Sequence, residues 1–264
     1  MKIQKDIEII DVCLFLTKSK TLIIPDVHIG YEEALNKQGI LIPRTQFQEI
    51  MKKIESIIKE TINKFKEIKQ IVIIGDLKHE FGKISETEWR QTLKFLDYLH
   101  KYCKNIVLLK GNHDKILGPI ANKRNLQVIE AYEIEDMLLV HGHELPIVVP
   151  PKIKTIIIGH EHTAVSLREG PRVEKYKCFL KGKWKTNEKT TKDGKKKIII
   201  KSRTLNLIVL PSFNPLIEGT DILKEELLSP FLKETKRSAL KDFEVFIVGD
   251  KTYEFGKIKS LLRK

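Results

Sequence analysis

At 264 residues, 41% of them hydrophobic, the chain is long enough to bury a sizeable core. It carries 48 Lys and Arg against 35 Asp and Glu, a net charge of +13, and no apolar run near the roughly 18 residues of a spanning helix, so no membrane association is expected. The charged, alternating start MKIQKDIEII is not expected to be a signal peptide, and Cys13, Cys103 and Cys178 form no CxxC pair; reduced thiols in a cytoplasmic protein are expected, not a thiolate metal site.

Taken in chain order, IEIID, VCLFLT and TLIIPD read as strands, with Lys18-Ser19-Lys20 as a turn. A long helix follows, opened by Pro43, with Phe47, Ile50, Met51, Ile54, Ile57, Ile58, Ile62 and Phe65 on its apolar face. IVIIG at 71–75 is a buried strand, and SETEWRQTLKFLDYLHKY is a second helix with Ser85 and Glu88 spaced as a capping box. The strands IVLLKG, DMLLVHG and TIIIGH come next. Continuous apolar strands alternating with helices predict an α/β protein with a largely buried sheet. After Thr163 the texture changes to TAVSLRE, VEKYKCFLKGKWK, KKKIIIKS and TLNLIVLP, the pattern of a second, more antiparallel sheet. TNEKTTKDGKKK reads as a polar connector with an Asp-Gly turn. The tail predicts a helix around 221–240 and a hairpin, FEVFIV and KTYEF, about Gly249-Asp250. The expected organisation is one domain over 1–264, with a Lys-rich hairpin at about 172–203 and a helix–hairpin extension at about 221–264.

Five of the apolar strands end in metal-ligand residue types: Asp26-x-His28, Gly75-Asp76, Gly111-Asn112-His113-Asp114, His141-Gly-His143 and Gly159-His160-Glu161-His162. One polar residue at a strand end is ordinary turn chemistry. Five such ends in one chain, drawing on seven of its eight histidines once His79 is included, are not. Open α/β sheets bind ligands outside the carboxyl ends of their strands, so these residues are expected to converge. His100 lies on a helix and reads as structural or surface.

The ordered set D-x-H, GD, GNHD, H and GHxH resembles the calcineurin-like metallophosphoesterase superfamily. PDVHIGYEEALNKQGILIPRTQ, GDLKHE and GHEHTAVSLREGPRVEKYKCFLKG…LPSFNPLIEGTDI are similar to the archaeal SbcD-related and DNA ligase-associated phosphoesterases, which usually carry an apolar residue where this chain has Lys78. The resemblance implies a two-sheet α/β/β/α sandwich and a pair of divalent ions. Asp26, His28 and His162 would hold one ion, Asn112, His141 and His160 the other, and Asp76 would bridge them. A shared carboxylate keeps two cations roughly 3.5–4 Å apart, the spacing used for in-line displacement at phosphorus. Oxygen and imidazole donors without thiolate suit Mn first, with Fe, Zn or Ni possible, over Ca. Gly30, Gly75, Gly111 and Gly159 would let the backbone turn beside the ions. His113 would protonate the leaving oxygen, and Asp114 would orient it. His143 either stands behind a ligand or caps a turn; His79, followed by Glu80, either touches substrate or has no role.

Residues 172–203 hold 13 Lys and Arg against three acids, interleaved with Tyr176, Phe179 and Trp184. Such a strip either tracks a nucleic-acid backbone and stacks bases or is a solvated hairpin whose lysines guard an edge. The expected function is hydrolysis of a phosphate ester, favoured as a phosphodiester of nucleic acid or a nucleotide, without a covalent intermediate. The alternatives are a small-molecule phosphatase, a cyclic-nucleotide phosphodiesterase, and a nucleic-acid-binding module without catalysis. The sequence leaves the oligomeric state open.

Overall fold

The computed structural model describes residues 1–82, 84–114, 116–186, 189–193, 196–200 and 202–261, with only the backbone of 169, 189–193 and 196–200. Strands β1 (Lys2–Gln4), β2 (Ile7–Ile10), β3 (Cys13–Leu16) and β4 (Thr21–Ile24) run antiparallel to one another. Helices α1 (Tyr31–Lys37) and α2 (Gln46–Phe65) lead to β5 (Gln70–Ile74), α3 (Glu86–Tyr102) to β6 (Ile106–Leu109), and α4 (Gly118–Asn122) to β7 (Gln127–Ile129). From β4 to β7 the pairing is parallel, so the seven strands lie in sequence order in one sheet.

The second sheet takes β8 (Ala131–Ile134), β9 (Met137–Val140), β10 (Thr155–Ile158), β11 (Thr163–Glu169) and β12 (Arg172–Lys185). Strands β13 (Lys189–Asp193) and β14 (Lys196–Ile200) form a two-stranded sheet apart from it, and β15 (Thr204–Val209) and β16 (Thr220–Asp221) return to the main sheet. Short helices α5 (Pro230–Lys233) and α6 (Arg237–Leu240) precede the hairpin β17 (Glu244–Val248) and β18 (Thr252–Lys257), and α7 (Ile258–Leu261) follows it. The order is β16-β11-β12-β15-β10-β9-β8, with β17 and β18 joined through β12; β9, β10 and β15 are parallel.

Three apolar layers explain why these strands read as unbroken hydrophobic runs. In β5, Ile71 and Ile73 pack with Ile50, Ile54, Phe95 and Leu99 of the helices, while Val72 and Ile74 face Leu139, Ile157 and Ile208 of the other sheet. Beyond the second sheet, Leu138, Ile156 and Leu207 pack on Phe231, Leu240 and Ile258. The layers are therefore helices, sheet, sheet, helices, the expected α/β/β/α sandwich. Truncating a residue such as Ile54 to Ala removes about 2–5 kcal/mol.

The local differences from expectation have identifiable causes. Helix α2 starts at Gln46, three residues after Pro43, because Glu32 accepts from the Gln46 amide (2.8 Å) and the Gln46 side chain from the Glu32 amide (3.1 Å). The sequence reading missed α1, β7 and β8. The connector at 186–197 contains a strand, β13; its Asp-Gly turn includes Gly194, outside the described residues. No continuous helix spans 221–240. The Leu228 and Ser229 amides donate to Glu161, which leaves α5 to start at Pro230. Among the described residues no helix is long and apolar enough to cross a membrane.

Candidate metal centre

Strands β4, β5 and β6 end side by side in the first sheet, and β9 and β10 in the second. The sandwich brings these five ends to one edge. There the His160 amide donates to the Asp26 carboxylate at 3.2 Å and the Phe213 amide to the Asp26 carbonyl at 2.9 Å, so one aspartate ties the sheets together. His28, Asp76, His160 and His162 have φ of 47, 41, 61 and 51°, in the left-handed region that L-residues avoid at a cost of about 1–2 kcal/mol each. Such conformations persist where the surroundings over-determine them, typically at functional sites. Two glycines serve close approach, not turning. A Cβ on Gly111 would collide with the Asp76 carboxylate and one on Gly159 with that of Asp26.

All seven candidate ligands come together. Asp26, His28 and His162 form one group, and Asp76, His141 and His160 a second, each with donor atoms within 4.8 Å of one another. Asn112 joins the second, its Oδ1 3.0 Å from His141 Nε2. Asp76 Oδ2 lies between the groups, 3.6 Å from His28 Nε2 and 3.3 Å from His141 Nε2. A third cluster, His28, His79 and His113, offers no carboxylate; His28 Nδ1 is 3.3 Å from His79 Nδ1.

The electrostatics suit cations. Burial opposes ionisation of Asp76, but the His141 hydrogen bond and the fields of His141 and His28 outweigh it and hold the carboxyl well below the usual range. Asp26 is lowered in the same way, against burial, by His162 and His141. Burial, then His141, pushes His160 down to about 4; burial, then His162, drives His28 well below its ordinary value. His141, despite its burial, is raised to about 9 by Asp26 and Asp76. Ionised carboxylates and neutral imidazoles are the states in which these groups ligate, and the field that raises His141 is the one a cation would feel. The donor set, free of thiolate, fits two divalent ions.

His113 stands beside the ligands, its Nε2 3.9 Å from Asp76 Oδ2 and its amide 2.9 Å from Asp76 Oδ1. Asp114 does not orient it. Its carboxylate accepts instead from the amides of Gly111 (3.1 Å), Leu77 (3.4 Å) and Lys78 (3.5 Å), bracing the two loops. The partner of His113 Nδ1 is the carbonyl of His79. The His79 ring stacks on that of His113, and the half-exposed Phe81 covers His113 from outside. His143 flanks the second group, 5.1 Å from the His141 ring and 6.0 Å from that of His160.

Several supporting residues escaped the sequence reading. Ser85 caps α3 as expected, but Glu88 turns away from the capping box to accept from the His79 (2.8 Å) and Glu80 (3.0 Å) amides. Asn214 donates to the carbonyls of Val27 and His28, at 2.9 and 3.1 Å, holding the D-x-H turn. Glu161, between two candidate ligands, accepts from Leu228 and Ser229 and so fastens the C-terminal extension to the metal loop. The partly buried Lys177 grips the carbonyls of Ser212 and Asn214. An open cleft of about 420 Å³, lined by Tyr31, His162 and residues 216–220, runs beside the first group.

Only the later part of the basic segment, β13 and β14, is a separate hairpin. The first part, β12, pairs with β11, β15 and β17 inside the second sheet. Phe179 is buried between the sheets, and Trp184 is buried against Phe231 at 4.8 Å, so neither is free to stack bases. Lys181 pairs with Glu244 and Lys183 with Asn206, both at 2.6 Å. Lys185 lies opposite Thr204, the first residue of β15, which is the end of the sheet away from the metal loops.

Residues 19–149, which contain every candidate site residue except His160 and His162, match the model of the family described as Calcineurin-like phosphoesterase. The two-sheet α/β architecture is consistent with the fold of that family. The fold is similar to that of the nuclease MPE of Pseudomonas putida, with 19% identity over 94% of this chain and 93% of that one and a TM-score of 0.58. Looser likenesses join it to Yfce, a phosphoesterase from E. coli, with 16% identity over 57% of this chain and 74% of that one and a TM-score of 0.32. Vps29 of Entamoeba histolytica complexed with zinc gives 14% identity, 89% and 99% coverage and a TM-score of 0.32. None of the curated proteins compared matches the chain.

Proposed function

We propose that the protein is a dinuclear metal-dependent phosphoesterase whose favoured substrate is a phosphodiester, in nucleic acid or a nucleotide. The observation that carries this reading is Asp76 Oδ2, set between the two ligand groups at 3.6 and 3.3 Å. Asp26, His28 and His162 hold one ion, Asn112, His141 and His160 the other, and Asp76 is shared. Two bound divalent ions supply an ionised water as nucleophile and neutralise charge on the phosphate. Asn112 contributes oxygen without charge, which keeps the site attractive to an anion. The His79 carbonyl fixes one proton on His113 Nδ1, so the proton that passes to the leaving oxygen is the second one, carried on Nε2 of the protonated ring, and its departure leaves the neutral Nδ1–H imidazole.

Manganese is the ion we favour for this oxygen and imidazole set. The motifs GDLKHE and LPSFNP support a kinship with the SbcD-related and ligase-associated phosphoesterases, and three buried free cysteines suit the reducing cytoplasm. The Lys-rich segment supplies a second, electrostatic contact for long polyanions. The test is hydrolysis of a chromogenic phosphodiester by the full chain in Mn²⁺. Activity is expected to disappear with chelator and return with metal; full turnover by metal-free protein overturns the reading.

A further inference from the structure

Lys78 is fully buried, two residues from Asp76. A buried ammonium is costly unless it is fully paired. Here Nζ donates to two carbonyls, of Glu80 and of His113, which belong to the loops after β5 and β6. The first loop is also gripped from its other side, where Glu88 accepts the His79 and Glu80 amides. Between these grips lies the His79 carbonyl that receives His113 Nδ1. Lys78 thus holds the main chain of His113 and the strap that aims its ring in one hydrogen-bonded unit.

We propose that Lys78 is a positioning residue that sets the His113 ring against the leaving oxygen by bridging the His79–Glu80 strap to the His113 carbonyl. This rests on the reading of His113 as proton donor. A buried lysine that merely stabilised the fold would leave the chemistry indifferent to the leaving group. A positioning residue acts only where a proton must be delivered.

The experiment measures kcat across phosphodiesters of graded leaving-group pKa, with metal content and melting temperature, for Lys78→Met, similar in length but without a donor. Alkoxide leaving groups are expected to slow by about 10–100-fold, as a misplaced catalytic group does, while a p-nitrophenolate ester stays within about twofold. Metal content is expected to equal that of the unaltered chain. A loss independent of the leaving group, no loss, or departure of the metal overturns the proposal. His113→Ala in the same series separates the two ideas. A flat loss there sinks the reading of His113, whereas selectivity there without selectivity in Lys78→Met sinks only the role of Lys78. Should Lys78→Met not fold, Lys78→Gln carries the test. Its amide is one bond shorter and reaches one carbonyl, so a smaller loss with the same leaving-group dependence is expected, and a flat profile overturns the proposal.

Discussion

At the ends of β4, β5, β6, β9 and β10, polar residues follow continuous apolar strands, and all seven candidate ligands meet. From Lys181 to Lys185 of β12, lysines alternate with Gly182 and Trp184; Lys181 and Lys183 are paired to Glu244 and Asn206, while Trp184, and Phe179 earlier in the strand, are buried. Both regions stood out in the sequence for dense charge at short spacing. In β12 the alternation is the pleat of a strand that places successive side chains on opposite faces. No pleat explains a histidine or aspartate at the end of a strand buried on both faces. Polar residues that interrupt a period carry more information than polar residues that obey one.

The largest effect expected from breaking the first region is at Asp76. Asp76→Ala removes the atom shared by both groups, so both ions should be lost, and with them activity on the order of 10⁴-fold or more, since each 1.4 kcal/mol of lost stabilisation is tenfold. Elemental analysis of the variant checks this directly, and full double occupancy would falsify the shared-carboxylate assignment. His113→Ala should keep both ions and lose about 10²–10⁴-fold, less for acidic leaving groups. Metal loss in that variant would move His113 into the ligand set with His28 and His79.

A smaller effect is expected where the metal loop meets the C-terminal extension. Glu161→Ala leaves the Leu228 and Ser229 amides without their acceptor, at about 1–3 kcal/mol for the buried Ser229 donor and less for that of the exposed Leu228. The melting temperature should fall, and metal affinity should weaken by about 10–100-fold because His160 and His162 flank the residue. Glu161→Gln, which retains an acceptor oxygen, should lie between. A stable Glu161→Ala with unaltered metal affinity would show that the extension does not brace the loop.

Most strands, α2, α3 and the convergence of the seven candidate ligands were legible because they depend on local pattern: apolar period, caps, and the interruption at strand ends. The supporting contacts were not, because each joins residues far apart in sequence. Glu88 was legible as half of a capping box with Ser85, yet its carboxylate serves amides eight and nine residues earlier. Asp114, adjacent to His113, was expected to hold it, but the strand-end turn points its carboxylate at Gly111, Leu77 and Lys78. Asn214 joins loops of the two sheets and Glu161 joins the metal loop to the C-terminal extension, which no spacing within one segment reveals. Ser229-Pro230 was a readable signal that the expected helix at 221–240 would break, since proline is at home in a first helical turn.

The smallest effect concerns the lysines of the second region, and it depends on the length of the substrate. Lys185 lies opposite the start of β15, five residues at roughly 3.3 Å each before its end, which puts it about 17 Å along the sheet from the strand ends that carry the site, whereas Lys181 lies opposite Ile208, one residue from that end, with its charge held by Glu244. A duplex reaching both Lys185 and the site must be at least about five base pairs long at roughly 3.4 Å each. Lys195, among the lysines to be altered, lies outside the described residues, and Lys196 and Lys197 are described by their backbone alone. Neutralising Lys181, Lys183, Lys185, Lys195, Lys196 and Lys197 together should therefore leave small diesters and very short duplexes untouched. For longer duplexes the salt dependence of binding should flatten by about 0.9 for each phosphate that no longer meets a lysine, and by less at Lys181 and Lys183, whose charges already have partners. Binding measured at several salt concentrations against duplex length reads this out. An unchanged slope at every length would remove the electrostatic reason for preferring nucleic acid to a small metabolite. Equal weakening at every length would mean that these lysines act on the metal site itself, against the separation of the two regions.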